Sequence, residues 1–282
     1  MRPPILTTRQ RELLEFLAAG ATRNEIAQHF GISPETVKIH TRAILEKFDA
    51  KTVRDSIEYI VAYITAYPIG ESDADIYYEE IRYLISVSGN LKTTTYDRHH
   101  CVFVLRGTVS EIDSSIDYPG EIFDVLLNGG SPDKTENFGK YIKYSKVLDH
   151  SYRTGDTFER SLHYKTQAYR PEYSQEVSNT IGTPVGQLLM RIDLPRPPAT
   201  FNVMVLDRSR FISVEKLANV EFTKQNLIYQ IVANSPTPGQ KFTLGWTWWS
   251  MYPSISPLRQ LMNIRASLLI WRILISKSRC LS

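Results

Sequence analysis

Ser33-Pro34-Glu35-Thr36-Val37-Lys38-Ile39-His40-Thr41-Arg42-Ala43-Ile44-Leu45-Glu46-Lys47-Phe48 spells a helix with a marked start and two unlike faces. Ser33 can cap the free amides of the first turn, Pro34 suits the first helical position, and Glu35 favours the positive end of the helix dipole. Val37, Ile44, Leu45 and Phe48 recur at helical spacing and are expected to face a core, leaving Lys38, His40, Thr41 and Arg42 on the other side. A capped amphipathic helix with a cationic polar face has what entry into a DNA groove demands.

Upstream, Thr22 to Phe30 gives a shorter helix capped by Thr22, and Gly31-Ile32 supplies the tight turn between the two. Two short helices joined by a glycine turn make a helix-turn-helix. Leu6-Thr7-x-Arg9-x-x-x-Leu13-Leu14, then Gly20-x-x-Arg23-Asn24-Glu25-Ile26-Ala27, then Ile32-Ser33-x-x-Thr36-Val37-Lys38-x-His40 resemble the LuxR-type helix-turn-helix in order and spacing. The resemblance continues through Ile44-Leu45-x-Lys47-Phe48 and a fourth helix from about Thr52 to Ile64, and covers none of the remainder.

The resemblance implies that Lys38, Ile39 and Arg42 read base edges in the major groove, with Thr36, His40 and Lys47 near the DNA backbone and Thr22 and Arg23 at the start of the preceding helix. The residue types agree. Lysine and arginine donate to guanine O6 and N7, an aliphatic side chain meets a thymine methyl, and hydroxyls and amines at helix N-termini hold phosphates. The alternative for Lys38 and Arg42 is an ordinary solvated helix face, and for His40 a packing or capping role.

Ile57, Ile60, Val61 and Ile64 form an apolar stripe at i, i+3, i+4 and i+7. In LuxR-type modules the equivalent helix often makes a two-fold contact. A homodimer formed there would place two recognition helices about one DNA turn apart and favour an inverted-repeat site. The stripe could equally pack on the downstream domain.

The chain has 282 residues, enough for two domains, and a formal net charge of +3. Its first 67 residues hold nine Lys or Arg against eight Asp or Glu, so affinity for DNA would come from placement and not from bulk charge. Two cysteines, Cys101 and Cys280, make no disulfide framework and no metal-binding pair, which points to a reducing cytoplasm. No signal peptide and no conventional transmembrane span is expected.

The expected fold is therefore α+β and multidomain. A helix-turn-helix module occupies residues 1–67 and a linker residues 68–82, with a short helix through Tyr77-Tyr78-Glu79-Glu80-Ile81. Residues 83–249 are expected to form an all-β, sandwich-like domain, with an immunoglobulin-like architecture as the candidate, and residues 250–282 a tail. Nine runs rich in β-branched and aromatic residues carry the β assignment: 83–87, 101–109, 140–147, 157–166, 173–180, 185–194, 200–206, 227–233 and 242–248. In the last of these Phe242, Leu244, Trp246 and Trp248 share one face and read as core. Leu258 to Ile275 reads as an amphipathic helix with arginines on one face.

An enzyme is not expected. His99-His100-Cys101 is the most suggestive cluster, but adjacent strand residues point to opposite faces and no partner stands at ligand spacing, so a loop leading into a buried strand is the better account. Asp113, Asp117, Glu121 and Asp124 lack the loop signature of a calcium site and read as a solvated edge. His150 and His163 stand alone. No metal site and no cofactor are expected.

The sequence thus describes a cytoplasmic transcription regulator that binds double-stranded DNA through residues 1–67, with a β domain that senses a small ligand or engages a partner protein. The competing description is an adaptor in a multi-component signalling or defence system, its β domain an assembly surface. A third is a β-domain enzyme under DNA-linked control.

Overall fold

The computed structural model describes residues 2–67, 74–117, 120–167, 175–207 and 210–248. The amphipathic helix expected over Leu258 to Ile275, and Cys280 with it, lie outside the described residues.

Four helices come first: α1 (Thr8–Ala18), α2 (Arg23–Phe30), α3 (Pro34–Lys47) and α4 (Val53–Ala66). Each start is fixed by a side chain that accepts from a free first-turn amide. Thr7 and Thr22 do this within reciprocal capping boxes with Gln10 and Glu25, Ser33 precedes Pro34 as expected, and Thr52 caps α4. Gly31 closes α2 at φ +62°, a backbone state that glycine adopts without strain, and this sets the turn into α3. Leu13, Leu14, Ile26, Val37, Ile44 and Ile60 fill the centre of the module.

Thirteen strands follow among the described residues: β1 (Ala74–Val87), β2 (Thr93–Ile116), β3 (Glu121–Leu127), β4 (Lys134–Asn137), β5 (Ile142–Arg153), β6 (Thr157–Gln167), β7 (Gln175–Thr180), β8 (Val185–Asp193), β9 (Thr200–Asp207), β10 (Arg210–Ile212), β11 (Val220–Gln225), β12 (Ile228–Asn234) and β13 (Lys241–Thr247). Nine form one sheet along the path β11-β12-β8-β1-β2-β5-β4, with β6 also on β2 and β3 on β6. The other four form a second sheet, β10-β9-β13-β7.

β2 is 24 residues long and serves two surfaces. Its first part pairs with β1 and β6; past Gly107, at φ +80°, it pairs with β5 from Thr108 on, with an irregularity between Val109 and Glu111. β1 runs antiparallel to β2 and parallel to β8. That parallel pair, the strand number and the branching at β2 depart from an immunoglobulin sandwich, which has seven to nine antiparallel strands.

Two expectations are corrected. Tyr77 to Ile81 is strand and not a linker helix, so the β region starts at Ala74 and not at Tyr83. The helix-forming composition of this stretch yields to pairing on both sides, with β2 and β8, in the middle of the large sheet. His99-His100-Cys101 likewise lies within β2 and not in a loop, since β1 and β6 pair with it along this length.

The main core lies where the two sheets meet. Phe242, Leu244, Trp246 and Val205 from the smaller sheet pack with Ile81, Leu188, Met190 and Ile231 from the larger. The assignment of Phe242, Leu244, Trp246 and Trp248 to one buried face holds. A second cluster, including Val102, Val104, Ile112, Leu127, Phe158 and Leu162, fills the bend of β2 against β3, β5 and β6.

Candidate nucleic-acid interface

The recognition segment inherits its geometry from the turn at Gly31. α3 buries Val37 and Ile44 against α1, α2 and α4, so the opposite face is left to solvent. Ile39 is 63% exposed and sits in sequence between Lys38 and Arg42, whose side chain is 83% exposed. An aliphatic side chain of that size normally loses free energy in water, on the order of 2 kcal/mol relative to burial.

Each cation rests on a carboxylate of its own helix. Lys38 Nζ is 2.9 Å from Glu35 Oε1, and Arg42 Nε is 2.9 Å from Glu46 Oε1. Solvent-exposed pairs of this kind contribute about 0–1 kcal/mol, so a guanine edge or a phosphate can displace them. The interface is charged and loosely tethered.

The other sequence-predicted residues divide. Thr22 is exposed, but its hydroxyl accepts from the Glu25 amide and donates to the Glu25 carboxylate. Arg23 is exposed at the start of α2. Thr36 and His40 are half-buried, and the Ser33 and Thr36 hydroxyls are 2.8 Å apart. Lys47 is committed elsewhere: its ammonium donates to the Ile5 carbonyl and to Gln10 Oε1, both at 2.8 Å, tying the end of α3 to the lead-in of α1.

The stripe on α4 also splits. Ile60 is wholly buried in the module's own core, Val61 is exposed, and Ile57 and Ile64 are half-buried. Tyr63 and Tyr67, at the end of the helix, share a core with Tyr77, Phe103 and Leu105 of the β region, and Ile60 belongs to the same cluster with Ile64 packed against it. Burial pushes the Tyr63 phenol up to about 12 and raises that of Tyr67 further.

A polar clasp runs beside this contact. Arg11 donates to Asp75 Oδ2 at 2.6 Å and to the Tyr67 carbonyl, and Arg106 Nε donates to the same Asp75 oxygen at 3.0 Å. Arg2 pairs with Glu79 and lies 3.9 Å from the centre of the Phe103 ring. Sequence reasoning missed these residues. The available signal was Arg11, one helical turn before Leu14 on the apolar side of α1.

The clasp engages α1 and the end of α4, and among the described residues Lys38, Ile39 and Arg42 stay exposed. A module of four capped helices with an open, cationic third helix is a helix-turn-helix unit. Residues 4–60 match the model of the GerE family, described as bacterial regulatory proteins, luxR family, and this segment is a LuxR-type module.

Solved structures similar to the chain include an M1 zinc metallopeptidase from Deinococcus radiodurans, at 13% identity over 62% of this chain and 43% of that one, with a TM-score of 0.34. A putative protease from Parabacteroides distasonis gives 10% identity, 63% and 40% coverage and a TM-score of 0.39. Yeast leukotriene A4 hydrolase in complex with bestatin gives 12%, 66% and 32%, and 0.41. The chain thus spans less than half of each, and at these scores the likeness carries no inference about chemistry. No curated protein matches the chain.

Proposed function

We propose that the chain is a sequence-specific DNA-binding transcription regulator. The observation that carries it is Ile39, held out in water between two displaceable cations on a helix that, among the described residues, nothing in the β region covers. Lys38 and Arg42 donate to base edges, Ile39 packs on a thymine methyl, and Arg23 with the first turn of α3 holds phosphates that fix register.

The β region is the sensing or partner-binding half, and the proposal requires no catalysis from it. It is coupled to the module by the Arg11–Asp75–Arg106 clasp, and an event that shifts β1 against β2 is felt directly at α1. The protein acts as a homodimer through the flank of α4 marked by Ile57, Val61 and Ile64, on an inverted repeat.

Selection of bound sequences from a random duplex pool tests the proposal. Recovery of a palindromic site, bound at least about 10³-fold more tightly than random duplex at physiological salt, is the expected result. A pool that never converges, with affinity that follows salt alone, would overturn it.

A further inference from the structure

Inside the bend of β2 the β region encloses a cavity of about 130 Å³ walled by Tyr83, Arg98, His100, Arg160, Ser114 and Ser115. Pairing explains the grouping. Arg98 and His100 are two apart on β2 and share a face; Tyr83 on β1 is opposite Arg98, and Arg160 on β6 is opposite His100. After Gly107 the same strand returns and brings Ser114 and Ser115 to the other wall.

The wall is cationic and its polar groups are short of partners. Arg98 donates to the Tyr164 hydroxyl at 2.7 Å and to the Ser115 carbonyl at 3.5 Å, and Arg160 to Ser114 Oγ at 3.4 Å. Among the described residues those hydrogen-bond acceptors are all neutral. His100 is 9% exposed, and neither of its ring nitrogens has a hydrogen-bond partner; Arg98 Nε has none either. Burial and the two guanidiniums push the imidazole down to about 2, so it stays neutral and keeps one N–H to donate. Two guanidiniums, an imidazole N–H and a serine hydroxyl converging on one enclosed space call for a compact acceptor of negative charge.

We propose that this cavity binds a small oxyanion, a phosphate or carboxylate group, between Arg98 and Arg160, with Ser114 and His100 donating to it. The volume admits such a group but is well below the roughly 300–1,000 Å³ of pockets for drug-sized ligands. The inference rests on the sensing role proposed above only for its consequence, because binding is measured without DNA.

The test is thermal unfolding of the full chain titrated with inorganic phosphate, glycerol 3-phosphate or succinate, with chloride holding ionic strength constant. At least one titrant is expected to raise Tm saturably, by about 5 °C at a hundredfold excess over Kd, and to move the His100 ring resonances over the same range. The titrant that acts identifies the source of the oxyanion. Arg160→Gln is expected to melt like the parent in chloride and to lose the response. No saturable effect from any titrant, or an equal effect in Arg160→Gln, overturns the site; if that variant fails to fold, the His100 titration of the parent decides. Saturable binding that leaves DNA affinity unchanged upholds the site and removes the sensing role.

Discussion

Arg11 on α1 and Asp75 on β1 form an ion pair at 2.6 Å, across 64 positions of sequence, with side chains only 4% and 6% exposed. Arg106 from β2 joins the same carboxylate. Because β1 and β2 are adjacent in the large sheet, one aspartate binds the helical module and two strands at a single point.

Breaking this pair is expected to cost more than the pair itself contributes. Asp75→Ala leaves the Arg11 guanidinium buried beside Tyr67 without its counter-charge, a loss of about 3–5 kcal/mol. Replacing both partners by apolar residues of similar size, as in Arg11→Met with Asp75→Leu, should recover most of it, since Arg106 is partly exposed and can turn to water. Denaturant unfolding of the single and double variants checks this; equal losses in both would show that the carboxylate has no special place.

DNA reading makes a different demand. Arg42→Ala removes a side chain that, among the described residues, is held by a solvent-exposed pair with Glu46, so fold stability should change by less than about 0.5 kcal/mol. Discrimination at one base position should fall by about 1–3 kcal/mol. Ile39→Ala should relax preference at a thymine in the same half-site. Binding to a panel of single-base site variants separates these effects, and a uniform loss across the panel would assign Arg42 to a phosphate.

Much of this interface was legible in the sequence because local chemistry specifies it. Ser33-Pro34 starts a helix wherever it packs, Gly31 makes the turn by its own backbone freedom, and the spacing of Val37 and Ile44 decides which face stays wet. What the sequence did not disclose depends on partners far along the chain. Tyr77 to Ile81 became strand because β2 and β8 flank it, and β4, β10 and β11 are short or polar strands whose existence rests on a neighbour's edge. His100 was noticed only for the cysteine beside it, while the arginines that surround it come from register between β2 and β6.

Acid should weaken the β region through His100. Its folded value, about 2, lies below the ordinary 6.5, so the stability from keeping the imidazole neutral is present above about pH 6.5 and is lost as pH falls towards 2. The groups that act on it are Arg98 and, through space from the opposite face, His99 on its own strand, Arg160 on β6, and Tyr78 and Tyr83 on β1. His100→Leu removes the titration while keeping the volume. Below pH 6.5 the parent should lose about 1.4 kcal/mol per pH unit relative to that variant. Parallel pH–stability curves for the two would place the imidazole in contact with water.

Residues one position apart on α4 should behave in opposite ways. Ile60 is fully buried, so Ile60→Asp puts a charge into the module's core and should unfold it, whatever the oligomeric state. Val61 is exposed, so Val61→Asp should leave the monomer within about 0.5 kcal/mol of the parent. If the half-exposed stripe of Ile57, Val61 and Ile64 is the two-fold seam, a like charge introduced from both copies should shift sedimentation towards monomer and weaken binding to an inverted repeat more than to a single half-site. A Val61→Asp protein that sediments and binds like the parent would move the dimer contact off α4.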